Sequence, residues 1–328
     1  MNESAKKRSA FVTGATGCIG SALTLKLAEN GWQVVALVRD HRRADFLKGL
    51  SNLRLVEGDL ADRNLITNAM RNCQVVFHLA AKVHATPDLP ANDFFTNNVD
   101  GTCNVVAAAI ENQVDRLVFF STVAVYPESD AWQDESSLTA PTSAYGASKL
   151  RAEAIALASD KLKATVLRLP VVYGLRDRGN VARLIEAVKR GRYLIVGDGQ
   201  NLKSMVAVEN VVEAAILAAI DDRAIGQTFI VTDQRPYSQA EIAATIAELL
   251  GREKPRSFPR WPLLMIGCAA DAISKLFDLH LPVSSDRVRK LSNKTMFSGA
   301  KIESELGFKP QVNLREGLAR VIENEIDI

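Results

Sequence analysis

The sequence predicts an α/β fold: a doubly wound parallel sheet followed by a smaller, mostly helical C-terminal lobe. Three observations predict it. Short β-branched runs alternate with helix-length segments through the first half of the 328 residues, a glycine-rich turn joins the first run to the first helix, and the alternation breaks down after residue 170. In order, "AFVTG", "QVVALV", "LRLVEGD", "VVFHLA", "RLVFFST" and "ATVLRLP" read as buried strands. Helical crossovers between such runs imply parallel, right-handed connections. "GSALTLKLAENG" reads as the first helix, closing on Gly31, and "NVDGTCNVVAAAIENQ" offers an alanine-rich face for close packing. Later, "NVARLIEAVKRG", "VVEAAILAAI" and "YSQAEIAATIAELLG" read as short helices among turns such as "VGDGQN". The expected organisation is a sheet domain over 1–170 and a lobe over 171–328, with some strand exchange back to the sheet. Ligands of open α/β sheets bind at the carboxyl edge of the strands, so a lobe laid over that edge would select the substrate.

Composition excludes several classes. Hydrophobic residues make up 47% of the chain and charged residues 24%, with a formal net charge of +2. These are globular proportions, and no basic block points to a nucleic-acid partner. Cys18, Cys73, Cys103 and Cys268 are dispersed without a CxxC pair and are accompanied by only four histidines. That speaks against a metal site or a disulfide framework and for a reducing cytoplasm. The first apolar run already reads as a core strand, so no signal peptide is expected. In "WPLLMIGCAADAISKLF", about ten apolar residues precede Asp271, short of the roughly 20 that a membrane span needs. It reads as a core helix of the lobe, with peripheral membrane contact left open.

"TGATGCIG" sets Gly14, Gly17 and Gly20 in a TGxxGxxG loop between the first strand and the first helix. Small residues allow a tight turn, and the helix N-terminus presents N–H groups and a positive dipole end to a pyrophosphate. The loop residues Gly14, Thr16, Gly17, Cys18 and Ile19 would therefore hold a dinucleotide. At the end of the second strand an acid would bind the ribose 2′-OH of NAD, and an arginine the 2′-phosphate of NADP. "ALVRD" puts Arg39 there, with Arg42 and Arg43 behind it, which leans towards NADP(H); Asp40 turned inward would reverse the preference. After the third strand, Asp59 and Leu60 of "GDL" stand where an acid meets the adenine amino group. After the fourth, Leu79, Ala80, Ala81 and Lys82 let the backbone graze the cofactor, while His78 reads as a satisfied core histidine.

"SAYGASK" spaces Tyr145 and Lys149 one helical turn apart, on one face. An ammonium beside a phenol favours the phenolate, so the pKa of Tyr145 is expected to fall from about 10 towards neutrality, making a general base.

The motifs "TGATGCIG", "GDL", "HLAA", "NNVDGT", "STVAVY", "YGASK" and "RLPVVYG" follow one another from the first strand to Gly174. Together they resemble the extended short-chain dehydrogenase/reductases, a Rossmann-sheet family, in their NAD-dependent epimerase/dehydratase branch. The resemblance implies that Tyr145, Lys149 and Thr122 are catalytic. Tyr145 would exchange the proton at the reacting carbinol, Lys149 would hold the nicotinamide ribose, and Thr122 would bond the sugar. It adds Asn98, Tyr145, Lys149 and Pro170 to the cofactor-binding set and Thr122 and Val123 to the substrate-binding set. It also implies a homodimer built on a helical bundle.

In the second half, "VGDGQNLKSMVAVENVVEA" is similar to the branch's substrate segment, with Lys203 where an arginine often contacts a diphosphate. "PVSSDRVRKLSNKTMF" is similar to the closing segment, which implies Arg287 or Arg289 at the second phosphate, and Asn180 would lie over the sugar–phosphate. These segments look most like bacterial surface-polysaccharide enzymes. The implied activity is C4-epimerisation, through a 4-keto intermediate, of a hexose or N-acetylhexosamine carried on UDP or undecaprenyl diphosphate, at the inner face of the membrane. The alternatives are an NADPH-dependent 4-keto-6-deoxy (amino) sugar reductase, a 3β-hydroxysteroid-type dehydrogenase and a non-catalytic NAD(P) sensor. Recycled hydride favours NAD(H) in the first case, and Arg39 favours NADP(H) in the second.

Overall fold

The computed structural model describes residues 8–83, 92–177, 179–265, 268, 271 and 293–326. The first half builds one sheet from β1 (Ser9–Thr13), β2 (Gln33–Val38), β3 (Leu53–Glu57), β4 (Val75–His78) and β5 (Arg116–Thr122). Its helices are α1 (Cys18–Glu29), α2 (Arg63–Ala69) and the single turn α3 (Asn92–Phe95), which continues through a π-helical turn, Thr96–Asp100, into α4 (Gly101–Glu111). Beyond the two-residue β6 (Trp132–Gln133) come α5 (Ala144–Leu157) and β7 (Ala164–Leu169).

The chain then forms β8 (Val171–Tyr173), α6 (Asn180–Lys189), β9 (Ile195–Val196), β10 (Leu202–Lys203), β11 (Met205–Ala207), α7 (Val208–Ile220) and β12 (Thr228–Ile230). It ends with β13 (Tyr237–Ser238), α8 (Gln239–Leu249), β14 (Ser257–Phe258), β15 (Met296–Phe297), α9 (Ala300–Leu306) and α10 (Leu314–Ile326). Among the described residues, no helix is long and apolar enough to cross a membrane.

Seven parallel strands run in the order β12-β7-β5-β4-β1-β2-β3. All six expected strands are present, and β12 joins the sheet from the second half by pairing Phe229 with Leu167. Strand alternation sends Ala10 and Val12 to one face and Phe11 to the other. On the first face they pack with Leu23 and Leu27 of α1 and Val211 and Ala215 of α7; on the second, with Ile66, Val105, Ala109 and Ala152. Helices on both faces bury most residues of the central strands β1, β4, β5 and β7, which is why these runs are largely apolar and lack polar alternation. Phe11, Phe77 and Phe119 are each fully buried, and burial of such a side chain contributes roughly 1.5–3 kcal/mol. A third cluster, centred on Tyr173, Ile185, Ile242 and Leu318, is built entirely from the second half of the chain.

The chain leaves β1 towards β2 on one side, whereas β4 lies on the other. That reversal opens a crevice at the carboxyl ends of the strands.

Candidate active site

The glycine loop lines this crevice. Gly14 has φ +72°, a conformation that side chains rarely adopt, and a Cβ on it would stand 2.8 Å from the backbone nitrogen of Ala80. A Cβ on Gly20 would lie 2.1 Å from the carbonyl oxygen of Gly14. Helix α1 starts after Gly17 without a side-chain cap or an acid in its first turn. Its positive end therefore faces the crevice uncapped, a cradle that fits a pyrophosphate. Cys18 lies at the same helix start, where burial and the nearby Asp177 and Glu209 push its thiol up to about 12, so it is an unreactive wall.

The opposite wall is held by buried polar groups. His78 is 1% exposed, with Nδ1 2.7 Å from the Thr13 hydroxyl and Nε2 3.0 Å from that of Thr102. The Thr102 hydroxyl donates to the Asn98 carbonyl, so it must accept from Nε2–H, and Nδ1 accepts from Thr13. Burial holds this ring neutral, with its pKa lowered to about 3, and it is the core histidine expected. Asn98 lies in the π-helical turn and makes its hydrogen bonds to protein. Its Oδ1 accepts from the Lys82 N–H at 2.7 Å, and its Nδ2 donates to the Lys82 carbonyl and to Ser148 Oγ. It thereby fixes the loop of Leu79, Ala80, Ala81 and Lys82 against α5. The Lys82 side chain turns to Asp93 at 2.5 Å.

Helix α5 begins where Ser143 accepts from the Gly146 N–H at 3.0 Å, which places Tyr145 in the first turn and Lys149 in the next. A Cβ on Gly146 would come within 2.2 Å of the Ala124 carbonyl oxygen. The missing side chain lets α5 dock on the turn that follows Thr122, and the Thr122 hydroxyl hydrogen-bonds Tyr145. Lys149 is 2% exposed, its Nζ 4.0 Å from the centre of the Phe119 ring. Tyr145 and Lys149 lie on one helix as expected, but the expected acidic phenol is corrected. Burial pushes Tyr145 up to about 12, and the Thr122 hydrogen bond offsets only part of that rise. Burial also draws Lys149 down to about 7, with Glu153 opposing.

A parallel sheet with this glycine loop and this pair invites comparison with known proteins. Residues 10–231 match the NAD dependent epimerase/dehydratase family. The chain belongs to that family. It is 30% identical to the N-acetyl-alpha-D-glucosaminyl-diphospho-ditrans,octacis-undecaprenol 4-epimerase of Escherichia coli O157:H7, over 96% of this chain and 94% of that one. It is also 30% identical to the 2-alkyl-3-oxoalkanoate reductase of Stenotrophomonas maltophilia, over 95% and 97%. Among solved structures, MoeE5 in complex with UDP-glucuronic acid and NAD superposes with a TM-score of 0.77 at 30% identity, covering 98% of this chain and all of that one. This epimerase/dehydratase is an NAD(P)-dependent enzyme of the extended short-chain dehydrogenase/reductase type.

The remaining expected contacts of this epimerase/dehydratase divide. Asp40 does not turn inward: its carboxylate caps the turn after β2 by accepting from the Arg42 N–H and grips the Arg42 guanidinium at 3.0 Å through each oxygen. Arg39 is exposed beside it. Asp59 is exposed and accepts from the Ala61 N–H at 2.9 Å, and the Leu60 side chain packs against Gly101. Thr16, Ile19, Pro170 and Val123 are half-buried. Asn180 is exposed at the start of α6, where Asp177, not Asn180, caps the N–H groups of Gly179 and Ala182. Lys203 donates to the Asn293 carbonyl, and burial lowers its ammonium pKa. Arg287 and Arg289 lie outside the described residues.

Sequence reading missed the support behind the pair. Glu153 and Arg168 are buried together, and Ser121 donates to Glu153. Glu153 stands four residues after Lys149 and eight after Tyr145, the helical repeat that would have marked it.

Proposed function

We propose that this enzyme is a sugar C4-epimerase acting through a 4-keto intermediate on a hexose or N-acetylhexosamine carried by a diphosphate, UDP or undecaprenyl diphosphate, in surface-polysaccharide biosynthesis. The observation that supports the reading is the Thr122 hydroxyl at the end of β5 against Tyr145, with Lys149 one helical turn further along α5 over Phe119 of the same strand. Bound in that crevice, a nicotinamide dinucleotide supplies the hydride acceptor and donor. Tyr145 exchanges the C4 hydroxyl proton, and Thr122 bonds the same oxygen and aligns it. Lys149, poised at about 7, holds the nicotinamide ribose and supplies positive charge when protonated. Gly14, Thr16, Gly17, Cys18 and Ile19 hold the pyrophosphate, with Asp59, Leu60, Leu79, Ala80, Ala81 and Pro170 lining the rest of the cofactor path. Val123 lines the sugar side. The enzyme works in the cytoplasm as a homodimer.

Two relatives support the substrate class: the undecaprenol-linked 4-epimerase already described and the UDP-glucose 4-epimerase of Vibrio cholerae, 29% identical over 94% of this chain. A second reading, NADPH-dependent reduction of a 4-keto-6-deoxy sugar, is favoured by one observation. Asp40 is held by Arg42 instead of turning inward, which supports Arg39 as the partner of a 2′-phosphate.

Denaturing the purified enzyme and identifying the released nucleotide by mass spectrometry separates the two. Bound NAD(H), with conversion of UDP-N-acetylglucosamine to its C4 epimer, is the expected result. Release of no nucleotide, together with NADPH-dependent turnover of a 4-keto sugar, rejects the epimerase. Tyr145→Phe is expected to lower turnover by about 10²–10⁴-fold while cofactor still binds.

A further inference from the structure

Two segments far apart in sequence bring a concentration of positive charge together. Helix α6 ends in Lys189 and Arg190, and Arg192 follows. The stretch around β14 carries Arg252, Lys254, Arg256 and Arg260. Parallel pairing of β9 with β14 sets Ser257 opposite Ile195 and Phe258 opposite Val196, and the Ile195 N–H donates to the Arg256 carbonyl at 3.0 Å. All seven cations are exposed. Arg190 is paired with Glu186, and within the two basic stretches the only acid is Glu253. In a chain of net charge +2 this is a local excess, not a general property.

The same two stretches expose apolar side chains. Leu194 is 53% exposed, Phe258 39%, Trp261 71% and Met265 68%. Trp261 and Met265 stand one turn apart on the helical segment 260–265, so they point the same way. Leu194 adjoins the paired strands directly. A tryptophan and aliphatic side chains interspersed along the chain with long basic stems match the boundary between lipid headgroups and acyl chains, where the apolar tips enter and the cations meet phosphates. Nucleic acid would satisfy the cations but offers Leu194 and Met265 no apolar partner.

We propose that this face, formed by the β9–β14 pair and the 260–265 turn, docks on the surface of an anionic phospholipid bilayer. The surface carries this docking whether or not the substrate is lipid-linked.

The test uses the full chain with vesicles of phosphatidylcholine alone or containing about 30 mol% phosphatidylglycerol, read by co-sedimentation and tryptophan emission; anionic charge should raise binding by about tenfold or more. Trp261→Ser with Met265→Ser should abolish the blue shift of emission, and Arg256→Glu with Arg260→Glu should lower binding by about tenfold or more. Trp132→Ser, at an exposed tryptophan elsewhere, should leave binding intact. Circular dichroism of each variant checks folding, and turnover of a water-soluble UDP-sugar should stay unchanged, so this inference can fail while the proposed activity stands. Equal affinity for both vesicle types, absence of binding, binding retained by both double variants, or capture of polynucleotide or polyglutamate instead would each overturn it.

Discussion

Glu153 and Arg168 meet in a forked ion pair inside the protein, with Arg168 Nη2 2.7 Å from Glu153 Oε2 and Nε 3.1 Å from Oε1. Both residues are buried. The third guanidinium nitrogen, Nη1, donates to the Tyr126 hydroxyl at 2.6 Å, and Ser121 donates to Glu153. One network thus ties strand β7 to the end of β5 and to helix α5, the two elements that present Thr122, Tyr145 and Lys149.

Breaking this pair from one side should cost more than removing it whole. Arg168→Met leaves the Glu153 carboxylate buried without its partner, and a loss of about 3–5 kcal/mol is expected in urea denaturation. Adding Glu153→Leu to that variant should restore part of the loss, because no uncompensated charge remains. A double variant less stable than Arg168→Met would reject the account.

Thr122→Val removes the hydrogen bond that holds the Tyr145 pKa below the value burial alone would set. The phenol then becomes a weaker acid. The limb of the pH–rate profile that reports its deprotonation should move to higher pH, with turnover at pH 7 lowered by about tenfold or more. A profile that keeps its position while falling in height would assign Thr122 to sugar binding alone.

Lys149 and His78 should set opposite ends of the stability profile. The Lys149 pKa is lowered from 10.5 to about 7, so between those values the unfolded chain binds the extra proton. Stability therefore rises with pH across that window, and the cost of a buried ammonium is fully present below about 7. Lys149→Met should flatten the slope and raise stability near pH 7 by about 1 kcal/mol or more, while abolishing turnover. For His78 the window runs from 6.5 down to about 3, and stability is lost as pH falls through it. His78→Gln should lessen the acid loss. Thermal unfolding followed across pH checks both.

Gly146→Ala puts a methyl group 2.2 Å from the Ala124 carbonyl oxygen, a distance that backbone must relieve by moving. The expected result is a shift of α5 away from the Thr122 turn, with turnover reduced by about 10²-fold and cofactor affinity nearly unchanged. Gly20→Ala, crowded against the Gly14 carbonyl in the loop itself, should instead weaken cofactor binding. Calorimetric titration with NAD separates the two effects.

The strands and first helix were legible in the chain because each is local. Runs such as "QVVALV" bury on both faces, and "TGATGCIG" must turn tightly before a helix. The pairing of Tyr145 with Lys149 needed only helical spacing. The protonation of that pair was not legible, because burial depends on what other segments place around it: Phe119 against Lys149, and the turn after Thr122 against Tyr145. Nor was the role of Asp40, whose carboxylate is claimed by a turn three residues long.

By itself, then, the sequence determined six of the seven sheet strands, the glycine loop and the helical spacing of Tyr145 and Lys149, because backbone sterics and hydrophobic period act over a few residues. Tertiary structure alone decided the charge states, the Glu153–Arg168 support and the joining of two basic segments across β9 and β14. Desolvation and ion pairing depend on neighbours brought close by folding, and sequence distance carries no record of them.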